Sequence, residues 1–274
     1  MFAKLLKHDF KANAGLLTLL SGCVLGVGCI AAVVLRLLTT YWDQIMEKEE
    51  LVLVLIPAFL FLFMAYLVII FYGASTQYIL LYRFYKSRFT DEGYLMFTLP
   101  VKTHHIFLSG AVNIMIWSVI VIAVIAASLG IAIGLGPKWN SEILEEFRWV
   151  FADMKLTLGE FTSAGYGVSV VFSGLVFAIY SIVSSMTAVV LGASAAKKHK
   201  VLAIIGIMIG ISTLTGTLNS IVSGVMQFLL FAWEDRIQMI TTLTPLVSSF
   251  FPLILTVIGY FLSIHLMKKR LNLP

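Results

Sequence analysis

LVLVLIPAFLFLFMAYLVIIFYGASTQYILLY, residues 51–82, contains no Asp, Glu, Lys or Arg. A helix needs about 20 apolar residues to cross a membrane, so this stretch is long enough to span one. Its apolar residues are continuous rather than alternating, which favours a lipid-facing helix over a barrel strand. Five more runs without these charged residues occur at 12–35, 103–137, 161–196, 201–233 and 237–267. The sequence therefore predicts an all-α membrane protein with six transmembrane helices.

The composition agrees with this prediction. The chain is 60% hydrophobic and 12% charged, with a mean hydropathy of +0.99, which excludes an ordinary soluble domain. We predict one transmembrane domain over residues 1–274. The predicted spans cover about residues 15–37, 51–81, 105–135, 164–194, 201–231 and 245–267.

The basic residues predict how the chain is oriented. Six spans place both termini on one side, together with the loops at 83–102 and 197–200. That side has thirteen Lys and Arg and three Asp and Glu, whereas the other side has six and eleven. Because basic residues accumulate on the cytoplasmic side, both termini are expected there. The net charge of +5 is then a consequence of topology, and no nucleic-acid partner is predicted.

The first fourteen residues combine apolar and basic positions at helical spacing. The apolar positions are Phe2, Leu5, Leu6 and Phe10, and the basic ones are Lys4, Lys7 and Lys11. The pattern fits an interfacial helix over residues 1–14 and fits equally a basic flank that only orients the first span. A bend into the first span is expected at Gly15.

A second amphipathic segment is predicted at residues 138–160, on the outer side between spans three and four. Apolar residues recur there at helical spacing, and Trp139 and Trp149 are expected at headgroup level. The segment either anchors the protein to the outer membrane surface or covers an exit path.

Two of the later spans carry polar or helix-breaking residues. Span five has a polar stripe that either lines a path or makes interhelical hydrogen bonds. Its members are Thr213, Thr217, Asn219, Ser220 and Ser223. Near the start of span six, Pro245 and Pro252 predict either a broken, re-entrant segment or a kinked helix.

Several kinds of chemistry are absent from the sequence. Apart from Arg36 at the outer end of the first, no predicted span contains Asp, Glu, Lys or Arg, which argues against an ion-driven carrier. HExxH and G-x-S-x-G motifs are missing, and GASAAKKHK at 192–200 lacks the second glycine of a phosphate loop. We therefore predict no catalytic residue, metal site or cofactor in this chain. Energy for uphill transport would have to come from a partner.

The loop at 83–103 carries a small element of its own. Thr90 is a candidate N-cap, Asp91 and Glu92 suit a first helical turn, and Pro100 disfavours helix at the residue before it. A helix of about two turns, roughly residues 91–98, is therefore expected. Its bulky residues are Tyr94, Leu95, Met96 and Phe97. These side chains cover every face of so short a helix, so some must contact the bilayer or another protein.

This loop reads E-G-Y-L…T-L-P-V. With the basic N-terminal segment and the six spans, it resembles the membrane subunit of ABC-2 type ABC transporters of Gram-positive bacteria. The matching positions are Glu92, Gly93, Tyr94, Leu95, Leu99, Pro100 and Val101. The likeness covers the whole chain by topology and residues 83–110 by motif.

The resemblance implies a coupling helix that docks on a separate nucleotide-binding subunit, which binds ATP and Mg. Its residues here are Asp91, Glu92, Gly93, Tyr94, Leu95, Met96 and Phe97. Two membrane subunits, identical or different, would form the path, usually for export across the bacterial plasma membrane. In the family the outer elaboration lies chiefly between spans five and six, whereas here it lies between spans three and four. An ATP-independent carrier or channel, and a non-transporting immunity or sensor protein, are the alternatives.

Overall fold

Helix is the only regular secondary structure in the residues that the computed structural model of the protein describes. These are residues 2–47, 53–90, 93, 102–138, 145, 148–149, 152, 164–196, 198–233 and 237–269. The helices are α1 (Phe2–Thr40), α2 (Trp42–Glu47), α3 (Leu55–Phe89), α4 (Thr103–Leu135), α5 (Ala164–Ala195), α6 (Lys200–Ala232) and α7 (Ile237–Lys269). Within these ranges six helices, all except α2, are long and apolar enough to cross a membrane. The predicted six spans are confirmed to that extent.

Helix α3 extends beyond its predicted span. It has 35 residues, which at about 1.5 Å per residue gives roughly 52 Å, against about 30 Å for the hydrocarbon core of a bilayer. The extension carries Arg83, Lys86 and Arg88 on the last turns of the helix rather than in a loop. The C-terminal end of α3 therefore lies beyond the lipid hydrocarbon, and the segment that follows Phe89 begins there.

The predicted bend at Gly15 does not divide the first helix. Helix α1 runs without interruption from Phe2 to Thr40 and includes the segment assigned to a separate interfacial helix. A single glycine in a helix interior lowers the stability of the helix by only about 1 kcal/mol relative to alanine. The turns on either side of Gly15 are stable enough to tolerate that loss. Asp9, Asn13 and Leu17 recur four residues apart on one buried face of α1. That face packs against protein from the start of the helix.

Helix α7 is also continuous, with both prolines inside it. The Thr244 hydroxyl donates to the Ile240 carbonyl at 2.7 Å and the Ser248 hydroxyl to the Thr244 carbonyl at 2.8 Å. The polar residues near Pro245 thus bond the backbone of their own helix. Of the two interpretations of this region, the structure has the proline-containing helix and no re-entrant break.

The chain forms two compact units, and the first contains Met1–Leu80 and Val112–Phe147. Its core includes Val24, Ile69, Tyr72 and Val121. Two polar contacts cross this core: Ser21 and Tyr72 share a hydrogen bond of 2.7 Å, and the Ser128 hydroxyl donates to the Val24 carbonyl at 3.2 Å. These contacts tie α1 to α3 and to α4.

The second unit contains Leu81–Ala111 and Arg148–Pro274. In it α5 packs on both α6 and α7. Met186, Ala188, Val189 and Val190 of α5 are almost completely buried. The Ser263 hydroxyl donates to Thr187 Oγ1 at 3.1 Å. Helix α5 is therefore the centre of this unit.

Candidate functional site at the junction of the second and third spans

Most of the predicted coupling residues lie outside the described part of the chain. Asp91, Glu92, Tyr94, Leu95, Met96 and Phe97 belong to this group, as do Leu99, Pro100 and Val101. The described residues are Gly93 and the two helix ends that flank the segment, α3 up to Phe89 and α4 from Thr103. We call the residues around these ends the junction: Phe84, Arg88, Gly93, Phe107, Ser109 and Gly110.

Gly93 is buried and helical, and it lies against the last turn of α3. Its N–H donates to the Thr90 carbonyl at 2.8 Å. A Cβ atom at this position would lie 2.5 Å from the Arg88 carbonyl oxygen and 2.7 Å from the Arg88 carbonyl carbon. Backbone atoms cannot move aside as a flexible side chain can, so only glycine fits here. The motif contained this glycine, but the sequence alone gave no reason for it.

The Thr90 hydroxyl bonds the helix that precedes it, and its predicted N-cap contact with residue 92 lies outside the described residues. The hydroxyl donates to the Lys86 carbonyl at 2.5 Å, one turn back in the sequence. It therefore serves a carbonyl at the C-terminal end of α3, where carbonyl groups have no partner within the helix. The sequence could not decide between these roles because a hydroxyl can bond groups on either side of it.

Arg88 is the junction residue that sequence reasoning missed. The charge count assigns it to the cytoplasmic side, and in the structure only 2% of it is exposed. Its guanidinium donates to Ser109 Oγ at 3.2 Å and to Ser87 Oγ at 3.0 Å. It also lies 4.6 Å from the centroid of the Phe84 ring, in cation–π contact. A buried charge needs such partners, and the bond to Ser109 links the end of α3 to α4.

Close aromatic packing surrounds this charge. Phe84 meets Phe107 edge-to-face, with ring centroids 6.3 Å apart and an interplanar angle of 90°. A Cβ atom at Gly110 would lie 2.8 Å from two carbons of the Phe84 ring and 3.1 Å from the methyl carbon of Met186. Helices α3, α4 and α5 thus pack together next to the end of α3 and the start of α4, which flank the predicted coupling segment in the sequence.

The predicted interfacial residues on α1 are half-buried. They are Phe2, Leu5, Leu6 and Phe10. Phe10 stacks on Trp117 of α4, with centroids 5.0 Å apart and planes 17° from parallel. Since 1% of Trp117 is exposed, Phe10 is in contact with protein in the first unit. A role of this segment at the membrane interface stays a prediction.

The polar stripe on α6 uses its hydroxyls within the helix. Thr213 donates to the Ile209 carbonyl at 2.9 Å, Thr217 to the Leu214 carbonyl at 2.8 Å, and Ser220 to the Gly216 carbonyl at 2.9 Å. These three residues and Ser223 are exposed, and Asn219 is half-buried.

A different α6 residue makes the interhelical contact. Thr215, outside the predicted stripe, shares a hydrogen bond with Tyr180 of α5. In the most apolar window of α6 only 11% of the residues are buried, against 17% to 44% in the other spans. The stripe therefore lies on the least buried of the six spanning helices in the described residues.

The predicted outer segment is described at four positions. Glu145, Arg148, Trp149 and Ala152 are helical and exposed, and 70% of Trp149 is exposed. Helical geometry at these positions agrees with the predicted amphipathic helix. Its role as an anchor or a cover stays a prediction.

No known protein family, curated protein or solved structure matches this chain. Within the described residues, no cluster of three or more His, Cys, Asp or Glu has the arrangement of a metal site. The function must therefore be inferred from the six spans, the loop motif and the junction.

Proposed function

We propose that this chain is the membrane-spanning permease subunit of an ATP-driven ABC-2 type exporter in the bacterial plasma membrane. It works as a dimer and couples to a separate nucleotide-binding subunit, which binds ATP and Mg. The observation that carries the proposal is the loop after the second span. There an acidic pair, a glycine and an apolar run precede Leu99-Pro100-Val101.

The junction supports this proposal because it provides a firm base for such a loop. Gly93 is held against the backbone of Arg88, and Arg88 is bonded to Ser109 of α4. A force applied to the coupling segment by an ATPase would reach both α3 and α4 through these contacts. Gly110 and Met186 extend the same packing to α5. Motion at the cytoplasmic surface would then move three spans together.

The uncovered polar stripe on α6 supports a dimeric path. The hydroxyls of this stripe donate within their own helix, but their oxygens keep acceptor capacity that lipid hydrocarbon cannot meet. Polar residues in spanning helices are enriched where helices contact one another. Thr213, Thr217 and Ser220 are exposed on a helix that packs on α5 and α7 but is the least buried of the six spans within the described residues. In the proposed dimer, identical or not, a second membrane subunit or the water-filled path between subunits would cover them.

The decisive experiment first establishes whether a soluble ATPase with a phosphate loop is encoded beside this chain, then reconstitutes the two and measures stimulated ATP hydrolysis. Reversing both charges, Asp91→Lys with Glu92→Lys, is expected to abolish stimulation while the variant still inserts into membranes. Glu145→Lys is the matched control, because it reverses an exposed acid on the opposite side of the predicted topology.

Other outcomes would favour other functions. Normal transport after Asp91, Glu92, Tyr94 and Phe97 are all changed to alanine would contradict the proposal. Transport by the purified chain in liposomes without nucleotide would indicate an ATP-independent carrier or channel. Ligand binding without movement would indicate an immunity or sensor protein.

A further inference from the structure

A groove of about 740 Å³ lies beside the C-terminal turns of α7 in the second unit. One part of its lining is apolar and includes Ile258, Phe261 and Leu262. The other part is polar and consists of His104 from α4 with His265 and Lys268 from α7. Among the described residues, none that lines the groove is acidic. The groove therefore combines an apolar wall with a basic and imidazole-rich end.

The polar end is held in place by packing. His104 Nδ1 lies 3.2 Å from the Tyr260 hydroxyl. The Tyr260 ring meets Phe107 edge-to-face at 5.6 Å between centroids, and Phe107 is 1% exposed. When the Tyr260 hydroxyl donates to Nδ1, the proton of the imidazole is on Nε2 and can be donated to an anion. The orientation of the His104 ring is thus set by Tyr260, which in turn packs on the buried Phe107.

The two α7 residues approach the groove from one helix face. His265 and Lys268 are three residues apart, so their side chains are neighbours on the helix surface. Lys268 is in the last turn of a helix that is long and apolar enough to span a membrane. A lysine in this position places its ammonium group at the level of lipid headgroups while its methylene groups stay beside apolar surface.

The apolar wall continues from this end toward the lipid. Phe261 is 62% exposed and Ile258 is 54% exposed, and both precede the basic residues on α7 by one to three turns. In a membrane these side chains contact acyl chains. A small soluble anion would use only the polar end, whereas a phospholipid would use both parts.

We propose that this groove binds an anionic phospholipid. Its phosphate lies at His104, His265 and Lys268, and the upper part of its acyl chains lies along Ile258, Phe261 and Leu262. Basic recesses between spanning helices are suited to anionic headgroups, and this groove is open rather than enclosed. The inference requires that α7 spans the membrane and does not depend on the exporter proposal.

The test measures lipid binding to the full chain in phosphatidylcholine nanodiscs by native mass spectrometry during titration with phosphatidylglycerol. Lys268→Ala is expected to weaken phosphatidylglycerol binding by more than the about fivefold that any one basic residue near an anionic lipid surface contributes. Phe261→Ala is also expected to weaken it, since the acyl chains lose their wall. Lys269→Ala is the matched control, because Lys269 is the adjacent, exposed residue and does not line the groove.

The outcomes separate a lipid site from general attraction to charge. Selective loss with Lys268→Ala and Phe261→Ala, but not with Lys269→Ala, supports the site. Equal losses in the two lysine variants would overturn it, since the surface charge alone would then explain binding. Inorganic phosphate that displaces phosphatidylglycerol at comparable concentration, or phosphatidylcholine that binds equally well, would overturn it too. Unchanged thermal unfolding of each variant ensures that the losses reflect binding.

Discussion

Adding one methyl group at Gly110 should destabilise the second unit. The Cβ atom of Gly110→Ala would lie 2.8 Å from two carbons of the Phe84 ring. Carbon atoms pack best at about 3.5–4.0 Å, so the new contact is too short by at least roughly 0.7 Å. Phe84 is 3% exposed and touches Phe107 and Arg88. The ring therefore cannot move without disturbing the junction.

The expected cost is about 1–3 kcal/mol in the free energy of unfolding, the usual range for an extra group in a close-packed interior. A gain in helix propensity of about 0.5–1 kcal/mol opposes it. Gly130→Ala isolates that gain, because Gly130 lies on the same helix with no atom within 4 Å of an added Cβ. The difference between the two variants measures the overlap at the junction.

The assay is thermal or denaturant unfolding of both variants in the same detergent. Gly110→Ala should unfold more readily than the unchanged protein, and Gly130→Ala should match or exceed it. Combining Gly110→Ala with Phe84→Leu should recover part of the loss, because the shorter side chain leaves room for the methyl group. Equal stability of Gly110→Ala and Gly130→Ala would refute the close packing of α3 against α4.

Three further variants test other parts of the structure. Gly93→Ala should abolish stimulated ATP hydrolysis in the reconstituted complex, because its Cβ would meet the Arg88 backbone. Full stimulation by this variant would contradict the proposal that the junction transmits force from the ATPase. Asn113→Leu should raise the free energy of unfolding by about 1–3 kcal/mol, since the buried Asn113 Oδ1 has no hydrogen-bond partner in the described part of the chain; a loss measured by thermal unfolding would show that the amide is needed. Tyr180→Phe should cost about 1 kcal/mol in the same assay, because it removes the hydrogen bond to Thr215. A neutral result would mean that α5 and α6 are held by apolar packing alone.

The spanning helices could be predicted from sequence because each depends on a local property. A run such as residues 51–82 without charged residues must form its backbone hydrogen bonds internally in lipid, whatever surrounds it. The charge-free runs gave only approximate positions for the ends of the helices. Helix α3 continues to Phe89 because charged residues are compatible with a helix once it leaves the hydrocarbon.

The junction could not be predicted because it depends on contacts between helices. The sequence places Arg88 on the cytoplasmic side but does not indicate that it is buried. Its buried guanidinium bonds Ser109, which lies twenty-one positions later in the chain. The need for glycine at position 93 follows from the position of the Arg88 carbonyl. Likewise, Thr215 rather than the neighbouring Thr213 or Thr217 makes the contact with α5, a choice set by the rotation of α6.

The central claim is that a soluble ATPase contacts the segment after the second span, and cross-linking tests it most directly. Tyr94→Cys would be introduced into a chain in which Cys23 and Cys29 are replaced, since both native thiols are exposed. A cross-linker that attaches to the thiol at one end and has a photoreactive group at the other would then be applied to membranes that transport actively, and the products identified by mass spectrometry. The proposal predicts a cross-link to a soluble subunit that contains a phosphate loop. A preparation that transports normally, contains no second protein and cross-links only to lipid would contradict it.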